Sequence, residues 1–202
     1  MTPELAMQWS SALVAEWNEV NCLKSSNTMV QHQTYQEVMV HWKPPACGTL
    51  KVNVDASIFA GNMSYSVGMV LRDQTKGFYK ARVLRNSGEV SMFEAEATGV
   101  LAAIRWVVEL GISNVEVESD SMLTVQALRK GTQNFLEVGN ILQENHLMLE
   151  SRPNIIVSFV KKQANKVAHL LYRVPCEANC FTNFSFPPYS VLENVIYDAS
   201  AI

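Results

Sequence analysis

Three acidic side chains have the residue type and the surroundings to do chemistry: Asp55, Glu96 and Asp120. Asp55 and Asp120 each end a β-rich run, LKVNVD and VEVESD. A single aspartate in such a place is usually a turn former or a helix cap, so neither residue alone indicates a function. Carboxylates gathered at one point repel each other, raise the pKa of at least one member, and suit a hard cation such as Mg²⁺.

Glu96 is a candidate because of its place on a predicted helix. Apolar residues recur at spacings of three and four through residues 93–108. Glu94 lies on the polar edge of this pattern, whereas Glu96 shares its edge with Gly99 and Ala103. A carboxylate on such a small, close-packed edge is costly unless it is paired or bound to a metal. The pattern therefore favours Glu96 over Glu94.

The elements that would position these residues follow from apolar periodicity. We predict strands at 50–55, 66–72 and 77–84, a helix from 93 to 111, a strand at 115–119, helices at 121–130 and 134–151, a strand at 154–160 and a helix at 164–173. Strands that come first and then alternate with helices predict an α/β fold with a mixed sheet. Ligands gather at the carboxyl ends of parallel strands in such sheets, where Asp55 and Asp120 are predicted.

Proline and polar segments divide the chain. Pro44, Pro45 and Gly48 mark a domain boundary, because proline cannot donate to a strand ladder. We predict a helix and linker in residues 1–41, a domain at 42–175 and a tail at 176–202. The N-terminal segment has apolar residues at helical spacing: Leu5, Trp9, Ala12, Leu13 and Trp17.

Composition excludes several classes of protein. The 202 residues include 16 basic and 19 acidic side chains, and no apolar run approaches the roughly 18 residues that cross a bilayer. The first residues lack the basic segment of a secretory signal, and four irregularly spaced cysteines do not make a disulfide scaffold. We therefore expect an intracellular protein of the nucleus or cytoplasm.

Positive charge is concentrated in the middle of the chain. Residues 45–175 hold 14 basic and 12 acidic side chains, whereas both flanks are acidic, so only the middle suits a polyanion. Lys161, Lys162 and Lys166, hereafter the basic cluster, are the densest group. Together with Asn165 they are the candidate nucleic-acid-binding residues. The plainer interpretation of such a run is a solvated entry to a helix.

Five sequence blocks resemble the ribonuclease H domain when they are taken together. In order they are LKVNVDAS, SVGMVLRD, AEATGVLAAI, VEVESDS with TVQAL, and FVKKQANKVAHLL. The entry from Trp42 to Gly48 and the late segment FPPYSVLENVIYD are similar to the plant reverse-transcriptase-like group derived from retroelements. The resemblance covers about residues 42–175 and implies a five-stranded mixed sheet in the order 3-2-1-4-5, flanked by helices.

The resemblance implies a role for each candidate residue. The catalytic carboxylates of the family fall on Asp55, Glu96 and Asp120, with Asp55 bridging two cations and the other two binding one each. The fourth acidic position is His169 here, four residues after Asn165, so we expect a weak metal ligand or a proton relay there. The histidine that bacterial members carry on a nearby loop has no counterpart, because Phe159 takes its place.

The implied reaction is hydrolysis of a phosphodiester. Two divalent cations, Mg²⁺ or Mn²⁺, clamp the attacking and leaving oxygens in such chemistry. The implied substrate is the RNA strand of an RNA/DNA hybrid, which is recognised through 2′-hydroxyl contacts in a wide minor groove, so we expect little sequence specificity.

Two alternatives keep the fold without turnover. His169 suggests a degenerate domain that binds nucleic acid or protein, because imidazole is a poorer ligand than carboxylate for Mg²⁺. The short link from Lys130 to Phe135, which leaves no room for a basic protruding helix, favours the same alternative. A third hypothesis makes the domain a scaffold and the N-terminal helix its docking element. The three intact carboxylates argue against both.

Overall fold

The computed structural model describes residues 40–59, 61, 63–130 and 138–200. The predicted N-terminal helix and the link at 131–137 lie outside the described residues. The elements are β1 (Leu50–Phe59), β2 (Ser64–Arg72), β3 (Phe78–Ser87), α1 (Met92–Glu109), β4 (Val115–Ser119), α2 (Met122–Lys130), α3 (Gly139–Glu150), β5 (Ile155–Phe159), α4 (Lys166–Leu171), β6 (Cys180–Phe184) and α5 (Tyr189–Ser200). A single 3₁₀ turn, Lys162–Ala164, precedes α4.

The strands form one mixed sheet in the order β5-β4-β1-β2-β3-β6. β4 runs parallel to both β1 and β5, whereas β2 is antiparallel to β1 and β3. The predicted order of the first five strands is confirmed. The sixth strand, β6, pairs antiparallel with β3 and was not predicted. Three of its five residues are exposed and two are half-buried, so its sequence carries no core-facing alternation.

Local signals account for the start and the end of α1. The side chain of Ser91 accepts a hydrogen bond from Glu94 N–H, and the carboxylate of Glu94 accepts one from Ser91 N–H. This capping box contributes about 1 kcal/mol and sets where the helix begins. Gly111, with a φ of +69°, takes the left-handed conformation that ends the helix. The carboxylate of Glu94 is therefore used in the cap, whereas Glu96 belongs to the buried face of the helix.

Two apolar cores cover the two faces of the sheet. On one face, Val52 and Val54 of β1 pack with the buried side of α1, including Val100 and Ile104. Because side chains of a strand alternate between faces, Asp55 projects to the opposite face. There α4 and α5 pack over β2 and β3, and they bury the residues of the second core: Val70, Ala81, Val83, Val167, Ala168, Leu171, Val174, Val191 and Val195.

Residues beyond 175 pack against the sheet. Val191 and Val195 of α5 are buried in the second core. Asp198 of the same helix accepts a hydrogen bond from Arg72 Nη1 at 2.6 Å, and the Arg72 guanidinium stacks on the Trp42 ring at 3.6 Å. The buried side chain of Arg72 therefore connects Trp42, which precedes β1, to α5. None of the helices in the described part of the chain combines the length and the apolar character of a membrane span.

Candidate active site

Asp55 and Asp120 both lie at the carboxyl end of the parallel ladder between β1 and β4. Val54 of β1 and Ser119 of β4 form the last pair of the parallel ladder, and each aspartate is the next residue. The expectation that Asp55 closes its strand is wrong, because β1 continues to Phe59 as the antiparallel partner of β2. The two carboxylates are nevertheless side by side, since parallel strands end at one edge of the ladder.

Asp120 does not cap the helix that follows it. Ser121 does so, since its hydroxyl oxygen accepts a hydrogen bond from Thr124 N–H at 3.4 Å. The Oδ1 atom of Asp120 instead accepts one from Asn165 Nδ2 at 2.8 Å. The carboxylate is thus aimed at the site, and a role as a helix cap does not account for it.

Glu96 reaches the same point from α1. A Cβ atom at Gly99 would lie 3.3 Å from side-chain atoms of Val54 and Val67, so glycine allows the helix to lie close on the sheet. The Glu96 side chain is 8% exposed and accepts a hydrogen bond from Ala56 N–H. Its Oε2 atom is buried and has no hydrogen-bond partner among the described residues.

The three carboxylates form one compact cluster. One oxygen from each of Asp55, Glu96 and Asp120 lies within 4.8 Å of the others. Burial, reinforced by the negative charges of Asp55 and Asp120, raises the pKa of Glu96 to about 8. Burial and the charge of Asp120 raise the pKa of Asp55 to about 6, against the lowering effect of a hydrogen bond with His169.

This cluster fits a divalent cation. Carboxylate oxygens are the ligands that Mg²⁺ and Mn²⁺ take, and a cation would supply the partner that Glu96 Oε2 lacks. A cation would also offset the repulsion that raises the two pKa values. Asp55, Glu96 and Asp120 therefore form an acidic group that could hold a metal ion.

His169 lies against Asp55 on the α4 side of the cluster. Its Nδ1 atom is 2.7 Å from Asp55 Oδ2, and 34% of its side chain is exposed. The ring also meets the edge of the Tyr172 ring, with 5.4 Å between centroids. The imidazole thus connects the buried carboxylates to solvent.

Asn165 lies inside the protein, whereas we expected it on the surface as a nucleic-acid-binding residue. It is fully buried, and its Nδ2 atom donates both to Asp120 Oδ1 and to Val54 O, the latter at 3.0 Å. A side chain without exposed surface cannot contact a nucleic acid. Asn165 instead holds Asp120 and the end of the parallel ladder together.

Gly68 is a residue that the sequence reasoning missed. It pairs with Asp55 across β1 and β2, and a Cβ atom there would lie 2.5 Å from Ala168 O and 2.7 Å from Leu171 Cβ. Only glycine lets α4 approach so closely, and α4 carries His169. The available signal was a glycine inside a strand pattern, SVGMVL, which often marks close contact with a second segment.

The basic cluster borders the carboxylates and faces solvent. Lys161, Lys162 and Lys166 are all exposed, and none has a carboxylate within 4.0 Å in the described part of the chain. Lys162 is near enough to lower the pKa of Glu96. Phe159 ends β5 and is 37% exposed. The lysines are thus placed beside the site and remain open to a ligand.

Comparison with known proteins relates this site to a family. Residues 53–173, a range that holds every candidate site residue, match the family described as reverse transcriptase-like. Over 157 residues, 77% of the chain, the sequence is 31% identical to an Arabidopsis thaliana protein named "Putative ribonuclease H protein". The chain spans about a quarter of the length of that relative, 25%.

Solved ribonucleases H share the fold. Ribonuclease H1 of Halobacterium salinarum is 19% identical with a TM-score of 0.57, covering 62% of this chain and 96% of its own. The N-terminal ribonuclease H domain of a Mycobacterium tuberculosis protein is 16% identical with a TM-score of 0.55, covering 62% and 91%. LC11 ribonuclease H1, solved with an RNA/DNA hybrid, is 17% identical with a TM-score of 0.55, covering 61% and 94%. The chain therefore belongs to the reverse transcriptase-like family and has the ribonuclease H-like fold.

Proposed function

We propose that this chain is a metal-dependent endonuclease of the ribonuclease H type that hydrolyses the RNA strand of an RNA/DNA hybrid. One observation carries the proposal: Asp55, Glu96 and Asp120 converge within 4.8 Å. Two of the three are buried, at a cost that only protons or cations relieve. A cluster that served packing alone would be more stable with neutral residues.

We assign a separate role to each side chain of the site. Asp55, Glu96 and Asp120 would hold two divalent cations, Mg²⁺ or Mn²⁺, with Asp55 as the ligand common to both. Bound cations of this kind activate water and stabilise the charge that develops on a phosphodiester. Asn165 keeps Asp120 aimed. His169, half-exposed beside Asp55, serves as a weak ligand or carries a proton between the site and solvent.

The proposed substrate rests on charge and on similarity. The basic cluster offers three exposed cations beside the carboxylates, and none of them has an ion-pair partner among the described residues, which suits a phosphate backbone. One fold neighbour was solved with an RNA/DNA hybrid bound. Such hybrids occur in the nucleus and in the cytoplasm, where we place the protein. The relation to an Arabidopsis protein of the family agrees with an origin in a plant retroelement.

A cleavage assay tests the proposal. Hybrid duplexes labelled on either strand are incubated with the protein and Mg²⁺, Mn²⁺ or EDTA, beside DNA and RNA duplexes. We expect nicks in the RNA strand of the hybrid only, with either metal and not with EDTA. Asp55→Asn should abolish them, whereas Asp73→Asn, which removes one carboxylate from a remote turn, should not. Intact RNA with both metals, in protein shown to be folded, would contradict the proposal.

The second candidate function is a binding module without turnover. The contact between His169 and Asp55 favours it, because an imidazole occupies a place where a fourth carboxylate would strengthen metal binding. The discriminating measurement is fluorescence anisotropy of a labelled hybrid beside the cleavage assay. Binding without nicks, in the wild type and in His169→Asp alike, would favour the module over the nuclease.

A further inference from the structure

The guanidinium of Arg85 on β3 has no ion-pair partner in the described part of the chain. Its guanidinium carbon lies 4.1 Å from the centroid of the Phe59 ring, and its Nε atom is buried without a hydrogen-bond partner in the residues described. No carboxylate of the described part lies within 4.0 Å of it, whereas Arg72, Arg82 and Arg105 each have one. A half-buried, unpaired guanidinium is costly unless a ligand completes it.

This arginine is joined to the candidate active site by a chain of contacts. The rings of Phe59 and Tyr172 lie 6.1 Å apart, and the ring of Tyr172 lies 5.4 Å from that of His169. His169 in turn contacts Asp55 at 2.7 Å. Arg173 Nε donates to the Tyr172 hydroxyl at 3.2 Å and adds a second, exposed cation. We call Phe59, Arg85, Tyr172 and Arg173 the arginine–aromatic patch.

The sheet register gives the distance from the patch to the carboxylates. Asp55 lies two residues before Ser57 on β1, Ser57 pairs with Ser66, and Ser66 pairs with Arg85. Two strand spacings and two residues along a strand separate the Cα atoms of Asp55 and Arg85 by about 12 Å. One strand of a nucleic acid that passes over the carboxylates therefore reaches the patch within a few nucleotides.

The residue types of the patch favour a phosphate group as its ligand. A guanidinium presents a planar fork of N–H groups that matches phosphate oxygens, and stacking on Phe59 leaves the edge of this fork free to donate. Partial burial strengthens such a contact, because the local dielectric is lower than in water. The four residues of the patch include no carboxylate, so the patch does not suit a metal cation.

We propose that the arginine–aromatic patch binds a backbone phosphate of the substrate strand next to the cleaved position, with Arg85 as the phosphate ligand. The proposal extends the substrate contacts over the α4 side of the sheet, away from the basic cluster. It rests on the proposed function for the identity of the ligand. Arg85 would fix the register of the strand without reading its sequence.

Binding without turnover is the first test. Affinity for a fluorescent RNA/DNA hybrid is measured in EDTA at several salt concentrations. Arg85→Gln should weaken binding about fivefold to tenfold and lower the slope of log affinity against log salt by about 1. Arg105→Gln, which removes the same charge from the exposed side of α1, is the matched control and should leave both unchanged. Arg85→Lys keeps the charge and should retain the slope while it loses affinity.

Uncharged linkages in the hybrid can identify the phosphate that Arg85 binds. Hybrids that carry one methylphosphonate at successive positions should show one position whose neutralisation weakens the wild type but not Arg85→Gln. In the cleavage assay the same variant should raise KM with little change in kcat, because uniform binding is lost. A wild type that binds and cleaves the hybrid, with Arg85→Gln and Arg85→Lys both unaltered, overturns this proposal alone. A folded wild type that neither binds nor cleaves it overturns the proposed function as well.

Discussion

Glu96→Gln should stabilise the metal-free protein, and the gain should grow as the pH rises. The pKa of Glu96 is raised from 4.5 to about 8, chiefly by burial. Between these values the folded protein holds a proton that the unfolded chain has released. The free energy of unfolding therefore falls as the pH rises through this window. Glutamine keeps the shape of the side chain and removes the ionisation.

The size of the effect follows from the same shift. At pH 7 the pH lies about 2.5 units above the unfolded pKa of Glu96, and each unit is worth about 1.4 kcal/mol, so the largest possible effect is about 3.5 kcal/mol. Relaxation around the charge and coupling to Asp55 reduce this figure, and we expect about 1 to 3 kcal/mol. For a domain of this size that raises the Tm by about 3 to 10 °C. Below about pH 4.5 the two proteins should unfold together.

Thermal unfolding in EDTA from pH 4 to 8.5 measures the effect. Glu89→Gln is the control, because Glu89 is exposed and has no ion pair in the described part of the chain. Adding Mg²⁺ or Mn²⁺ should then stabilise the wild type more than Glu96→Gln, since the variant has lost a ligand. Equal differences in Tm at every pH would refute the argument that burial of the Glu96 charge destabilises the metal-free fold.

Four further outcomes are expected. Asp55→Asn should reduce cleavage of the hybrid by several orders of magnitude while calorimetry finds the Tm unchanged or slightly raised, because repulsion among the carboxylates is relieved. His169→Asp should increase cleavage with Mg²⁺, and the wild type should be more active with Mn²⁺, since Mn²⁺ accepts nitrogen more readily; equal rates with both ions would argue against a metal role for His169. Changing the basic cluster to alanine should flatten the salt dependence of hybrid binding for all sequences alike, whereas an unchanged slope would make it a solvated surface. Gly68→Ala should cost about 2 kcal/mol or more in urea unfolding, because its Cβ would overlap Ala168 O; an unaltered midpoint would mean that α4 yields easily.

Local patterns in the sequence determined most of the framework. Alternation along β1 and the spacing of three and four in α1 predicted both elements, because burial of one face imposes a period that neighbouring residues carry. The same reasoning separated Glu96 from Glu94, and the structure shows why: Glu94 completes the capping box, whereas Glu96 is buried. Asp120 was placed correctly at the end of β4.

The sequence predicted the arrangement of the sheet only in part. Strands that precede the alternating helices predicted a mixed sheet, whereas the order of its five strands was implied by the family resemblance. β6 escaped prediction because an edge strand with no buried residue has no periodic signal. The continuation of β1 past Asp55 also escaped, since its last residues pair only with β2 and are half-buried.

Only the tertiary structure decided how the site is assembled. Asn165 reaches Val54 and Asp120 over 111 and 45 residues of chain, and His169 reaches Asp55 over 114. Such contacts depend on how closely α4 lies on the sheet, which the missing side chain of Gly68 permits. That the Arg85 guanidinium has no ion-pair partner among the described residues is likewise visible only when its neighbours are placed. Periodicity reports which face of an element is buried, but hydrogen bonds between distant elements depend on packing distances that no local pattern encodes.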